Sequence, residues 1–216
     1  IFPRCPPVKG EQMKTQTTKS NTSKKTNVKK ITTVAMLTAI GVILQYMEIS
    51  IPIIPNFIKL DFSDLPELIG AFTFGPWTGV LICLIRNVIH IIVSQSGAIG
   101  ELSNFILGAF FAMTAGLIYK KMPNIKGAVI GAIAGSVVMG IVSLPSNYFI
   151  IYPLYYNVMG FPEPAILEMY QLLRPSTESI FEALLVFNVP FTIVKGLICS
   201  VFAVAVYKPL RKFINK

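Results

Sequence analysis

The chain has 216 residues, 53% of them hydrophobic and only 13% charged, with a net charge of +9 and a mean hydropathy of +0.65. That charged share is about half of what water-soluble domains carry, and apolar runs of bilayer-crossing length separate the few charges, so composition excludes a soluble domain and points to a polytopic α-helical membrane protein. The positive charge, which would suggest nucleic acid in a soluble chain, sits in the flanks of those runs and needs no nucleic-acid partner.

Residues 1–29 are rich in Thr, Ser, Asn and Lys, with Pro3, Pro6 and Pro7 near the start, and are expected as a disordered polar tail. Met13 is the expected native start, which leaves residues 1–12 as an expected cloning remnant. Residues 30–216 then form one membrane domain. Its cysteines, Cys83 and Cys199, lie in apolar runs, and together with Cys5 in the tail they show no metal or disulfide spacing.

The first span, 30–49, follows the basic residues Lys24, Lys25, Lys29 and Lys30. Ala35 and Ala39 are four apart, a small-residue pair that lets another helix approach closely. Gln45 and Glu48, three apart, share a different face. Pro52 and Pro55 exclude a regular helix over the next segment, which ends at Lys59 and Asp61. Ser63, Asp64 and Glu67 read as an N-cap and an acidic first turn for a helix over 63–74, short for a crossing. Gly75-Pro76 is a turn, and Trp77 an interfacial anchor for a third span over 77–94.

That third span carries Arg86, Asn87 and His90. A proton relay is one reading; the favoured one pairs Arg86 with Asp64, Glu67 or Glu101 to fix the span in the bundle. A fourth span covers 102–119. A fifth begins near 125 with Gly127, Gly131 and Gly135 on one close-packing face, and continues past Pro145 to Asn147. Residues 152–179 read as a long outer loop.

The sixth span, 183–207, holds the most informative pattern. Asn188, Thr192 and Lys195 fall at i, i+4 and i+7, one polar stripe on an otherwise apolar helix. Lys195 is about 18 Å from either end at 1.5 Å per residue, too deep for its stem to reach water. An ammonium there needs either a cavity with a ligand or a carboxylate from another helix, and the first is favoured because Asn188 and Thr192 share its face.

With the N-terminus inside, the tail lysines, Lys120, Lys121, Lys126 and the C-terminal Lys208, Arg211, Lys212 and Lys216 all fall on the cytoplasmic side. The expected fold is an all-α integral membrane protein, a compact bundle of six transmembrane helices with both termini cytoplasmic. Glu48, Lys59, Asp61, Asn147 and Asn188 then lie in the outer half, with Lys195 as their floor. Few polar groups among apolar walls make a small-molecule pocket. Asparagine amides suit an imide or amide edge, and Tyr148, Tyr152, Tyr155, Tyr156 and Phe191 suit a flat ring. No phosphate-cradling loop, nucleophile elbow, paired catalytic carboxylates or metal-ligand set occurs in the sequence, and no ATP motif, so no enzyme is expected and any energy source is a separate protein.

The segments Lys59-Leu60-Asp61-Phe62-Ser63-Asp64-Leu65-Pro66, Phe74-Gly75-Pro76, Gly100-Glu101-Leu102-Ser103-Asn104-Phe105, Ser146-Asn147-Tyr148-Phe149 and Asn188-Val189-Pro190-Phe191-Thr192-Ile193-Val194-Lys195-Gly196 resemble the RibU-type riboflavin S components of energy-coupling factor transporters. The resemblance covers residue 30 to the C-terminus. It implies a binding protein of the bacterial plasma membrane that captures riboflavin from outside and works with a transmembrane T component and two cytoplasmic ATPases. It also implies that Ala35 and Ala39 contact the T component, and that riboflavin is the transported ligand rather than a cofactor. Where the family commonly carries a lysine in the third helix, this chain has Arg86.

Joining both readings, Lys195 and Asn147 are expected to hydrogen-bond the isoalloxazine edge or the ribityl hydroxyls, the lysine acting as a donor to an uncharged ligand. Glu48, Gln45, Lys59, Asp61, Asn188, Thr192 and Tyr148 are further candidates. Three alternatives stay open: the same fold serving FMN, thiamine or another vitamin, an intramembrane enzyme using Glu48, Glu101 and His90, and an ion-coupled carrier acting alone.

Overall fold

The computed structural model describes the backbone of residues 11–50, 59–94 and 96–214, and the side chains of 28–50, 59–94 and 96–206. The segment holding Pro52 and Pro55 and the first ten residues lie outside the described residues. Nine α-helices run in chain order among the described residues: α1 (Glu11–Tyr46), α2 (Asp64–Phe74), α3 (Pro76–His90), α4 (Ile99–Lys121), α5 (Ile125–Ser146), α6 (Tyr152–Val158), α7 (Glu163–Gln171), α8 (Ile180–Ala183) and α9 (Val189–Ile214). Between α1 and α2 a two-residue pair of strands, β1 (Ile49–Ser50) and β2 (Lys59–Leu60), runs antiparallel with Ile49 opposite Leu60.

Among the described residues, five stretches are long and apolar enough to cross a membrane: Val28–Tyr46, Pro76–Val93, Ile99–Lys121, Ile125–Val158 and Ile180–Val206. Each shows large apolar side chains outward, Ile43, Val88, Phe110, Ile141 and Val201 among them. An apolar outer surface on that scale is stable against lipid, not water. Of the six expected spans, the one over 63–74 is the helix α2, only 11 residues long. The polar stretch from Glu11, expected as part of a disordered tail, is helical and continuous with the first span in α1.

The short α2 is nonetheless the centre of the bundle. It packs against α1, α3, α4 and α9, and Leu68, Ile69, Ala71 and Phe72 on it are all buried. Its acidic first turn is buried inside the bundle, with neither Asp64 nor Glu67 reaching the surface. Ser63 stands at its N-cap position but in helical conformation, with no capping bond. The expectation of a serine cap is corrected here: Asp61 Oδ1 accepts from the Ser63 amide at 2.9 Å and also from the Ser63 hydroxyl, a local turn that competes with capping.

The glycine face of α5 does what its spacing predicts. A Cβ on Gly131 would stand 2.7 Å from the carbonyl oxygen of Ala115, and one on Gly135 would stand 2.9 Å from the Phe111 ring, so α4 and α5 meet with backbone close to side chain. Gly131→Leu is expected to force the two helices apart and cost about 1–3 kcal/mol, read as a lowered melting temperature in detergent. An unchanged melting temperature would refute the close-packing role.

The long outer loop expected over 152–179 is corrected. The fifth span continues through a wide π-helical turn, Asn147–Ile151, into α6, and the amphipathic α7 buries Ile166 and Tyr170. A second wide turn, Leu184–Asn188, joins α8 to α9. In the first the Tyr152 amide donates to the Asn147 carbonyl, and in the second the Val189 amide donates to Leu184, five residues back in both. A proline follows each turn by two residues, Pro153 and Pro190. A proline ring clashes with the carbonyl four residues earlier, and widening the preceding turn relieves that clash.

Candidate ligand cavity

The ends of α1, α3 and α5 and the beginnings of α4 and α9 enclose a cavity of about 670 Å³, at the end of the bundle away from both termini. α7 lies over it through Ile166 and Met169. Its walls are largely apolar and aromatic, with Tyr152, Tyr155, Phe161 and Phe191 facing inward.

Seven of the nine expected ligand-binding residues line this cavity: Lys195, Asn147, Asn188, Glu48, Lys59, Asp61 and Thr192. They come from four regions of the chain that the fold brings together. Lys59 forms an ion pair with Glu48, which ties β2 to the end of α1. The two asparagines each sit at one of the wide helical turns. Asn147 Oδ1 accepts from the Ser103 hydroxyl at 3.2 Å, and Asn188 Oδ1 accepts from the Tyr170 hydroxyl at 2.9 Å.

Gln45 and Tyr148 are the two that do not reach the cavity. Helix α1 ends at Tyr46, so Gln45 and Glu48 do not share one helical face. Gln45 turns inward instead and donates from Nε2 to Asn87 Oδ1 at 3.3 Å, fully buried. Tyr148 is half-exposed on the outer surface, edge-on to Phe149 and Phe181, because the widened turn that aims Asn147 inward leaves its successor facing out. Ala35 and Ala39 are exposed on α1, on the surface of the bundle.

Lys195 corrects the expectation of a lysine with uncharged company. It lines the cavity floor and also donates to Asp61 Oδ2 at 2.9 Å, with Asp64 Oδ2 at 3.6 Å. Of the two alternatives weighed for it, the carboxylate partner is present, and a cavity lies beside it. The favoured reading of Arg86 holds with one change of partner. Its guanidinium lies 2.7 Å from Glu67, 3.5 Å from Asp64 and 3.8 Å from Asp61, while Glu101 pairs elsewhere. Three carboxylates and two cations thus form a buried cluster where α2 begins, with Arg86 1% and Glu67 0% exposed. Arg86 and the carboxylates around it are cut off from bulk solvent, so their charges depend on one another.

Glu101 accepts from Ser94 at 2.7 Å and lies 2.9 Å from His90 Nδ1, and both His90 and Glu101 line the cavity. The turn from α3 into α4 reverses the chain and brings the two helix ends together. Glu48 lines the same cavity but is committed to Lys59, and no group of three or more His, Cys, Asp or Glu fit to hold a metal occurs among the described residues. Ser103 and Tyr170, which contact the asparagines, were not among the expected ligand-binding residues because a serine and a tyrosine carry no spacing signal of their own.

The family model for the substrate-specific component of ECF transporters matches residues 29–207. A riboflavin transporter of Staphylococcus aureus (strain TCH60), RibU, is 32% identical over 185 residues, spanning 85% of this chain and 91% of the relative. A riboflavin transporter of Bacillus subtilis (strain 168), FmnP, is 29% identical over 186 residues, spanning 85% of this chain and 92% of the relative. Among solved structures, the S component of a bacterial ECF transporter superposes with a TM-score of 0.70 at 32% identity, over 88% of this chain and 99% of that one.

Proposed function

This chain belongs to the substrate-specific components of energy-coupling factor (ECF) transporters, and from that premise we propose that it binds riboflavin in the cavity above Lys195. It is a multi-pass protein of the bacterial plasma membrane. The observation that carries the reading is the cavity itself, with aromatic walls for a flat ring and amide and ammonium donors for its polar edge. Lys195 and Asn147 meet the isoalloxazine edge or the ribityl hydroxyls, and Asn188, Thr192, Asp61, Glu48 and Lys59 complete the polar lining. Riboflavin is neutral, so it adds hydrogen bonds without disturbing the charge balance between Lys195 and Asp61.

The orientation that fits this role has six crossings, α2 counted with the five long spans, and both termini in the cytoplasm. Basic residues then gather inside and the cavity opens outside. Energy comes from a transmembrane T component and two cytoplasmic ATPases. The exposed Ala35 and Ala39 give the T component a flat strip on α1 for close helix contact.

Titration of purified protein with riboflavin is expected to quench flavin fluorescence with one site per chain, and thiamine is expected not to compete. Unquenched fluorescence at saturating protein would sink the assignment. Leucine at both Ala35 and Ala39 is expected to leave that titration unchanged and to abolish co-purification with the T component. Intact co-purification would remove the alanine strip from the interface.

A further inference from the structure

We propose that Tyr170 and Ser103 are positioning residues that set the hydrogen-bonding polarity of the cavity, turning Asn188 and Asn147 into donors. An asparagine amide offers a ligand either its carbonyl or its NH₂, and free rotation would let it offer both. Here a hydroxyl stands at the carbonyl end of each amide. Tyr170 donates to Asn188 Oδ1 at 2.9 Å and Ser103 donates to Asn147 Oδ1 at 3.2 Å, which leaves the Nδ2 edge of each amide to meet a ligand. Both asparagines line the cavity, and both sit at a wide helical turn.

The tyrosine has a second contact that fixes its direction. The Tyr152 and Tyr170 hydroxyl oxygens are 2.5 Å apart. A hydroxyl has one proton, and that of Tyr170 goes to Asn188, so Tyr152 donates to Tyr170. The chain Tyr152 to Tyr170 to Asn188 is a relay of three groups whose bonds polarise one another. All three side chains are buried, and reversing the relay would turn the Tyr152 proton away from Tyr170 and oblige it to find another acceptor.

The chemical consequence is that this half of the cavity selects hydrogen-bond acceptors. On the riboflavin reading, which this inference rests on, the groups that answer are acceptors, the ring carbonyls of the isoalloxazine foremost, while the ring N–H is left to other walls. A structural consequence follows from the placement of Tyr170 on α7, the helix lying over the cavity. Seating α7 and aiming Asn188 are one event, so a ligand that needs the amide donor is held only when α7 is seated.

The test uses the whole chain and riboflavin itself. Tyr170→Phe keeps the ring that packs on Phe187 and removes only the hydroxyl. It is expected to weaken riboflavin binding about 3- to 10-fold, the scale of one neutral hydrogen bond. Infrared difference spectra of the bound flavin are expected to show a carbonyl stretching band moved up in frequency from its wild-type position, as a lost donor requires. Tyr152→Phe, which removes the first link, is expected to move the same band by less, and Ser103→Ala to move a carbonyl band through Asn147. Ile166→Ala loosens α7 without touching a hydroxyl, and is expected to weaken binding with the carbonyl bands unmoved. Wild-type carbonyl bands in both Tyr170→Phe and Ser103→Ala would overturn the positioning role, whatever the affinities. Wild-type protein that binds no riboflavin would overturn the ligand assignment, and the inference with it, before any variant is made.

Discussion

Arg86→Met is expected to lower stability by about 3–5 kcal/mol, the cost of removing one partner from a buried ion pair. The side chain is 1% exposed and lies against Glu67 at 2.7 Å, Asp64 at 3.5 Å and Asp61 at 3.8 Å. Without it Glu67, 0% exposed, has no cation at contact distance, and the start of α2 loses what holds it against α3. The expected readout is a large fall in melting temperature in detergent or loss of monodisperse protein. Arg86→Met with Glu67→Leu is expected to recover part of the loss, since the carboxylate that relied on Arg86 alone is gone and Asp61 and Asp64 keep Lys195 as their cation. A single variant that melts with the wild type would show that the cluster contributes nothing to the fold.

Lys195→Met is expected to act twice. It strips Asp61 of its partner at 2.9 Å, leaving Arg86 at 3.8 Å and Ser63 to hold the carboxylate, at an expected cost of about 3 kcal/mol in stability. It also removes a charged donor from the cavity floor, at an expected cost of about 1–3 kcal/mol in riboflavin binding. The double variant Lys195→Met/Asp61→Asn separates the two effects. Stability is expected to return, because neither charge is left alone, while riboflavin affinity stays low. Full affinity in the double variant would reduce Lys195 to a structural role and move the ligand to other donors.

Much of this site was legible because helices project side chains by a simple period. Asn188, Thr192 and Lys195 fall on one face of the last span by spacing alone, and all three line the cavity. The limits show at the same residues. Nothing in the spacing of α9 says that Asp61, 134 positions earlier, meets Lys195. Gln45 and Tyr148 were misplaced because their placement depends on where a helix ends or widens. The end of α1 at Tyr46 and the wide turn after Ser146 are local departures from a period of 3.6. The prolines two residues beyond each wide turn were the sequence signal, present at Pro153 and Pro190.

The sequence by itself determined the solvent, the number of long apolar stretches, the close-packing glycine face and the lysine that had to be compensated, since each follows from composition or from the period of a single helix. Only the tertiary structure decided what compensates that lysine, that His90 and Glu101 meet, and that hydroxyls on α4 and α7 engage the two asparagines. Those are contacts between segments far apart in the chain. Their energy comes from burial away from both water and lipid, which no single segment can arrange for itself.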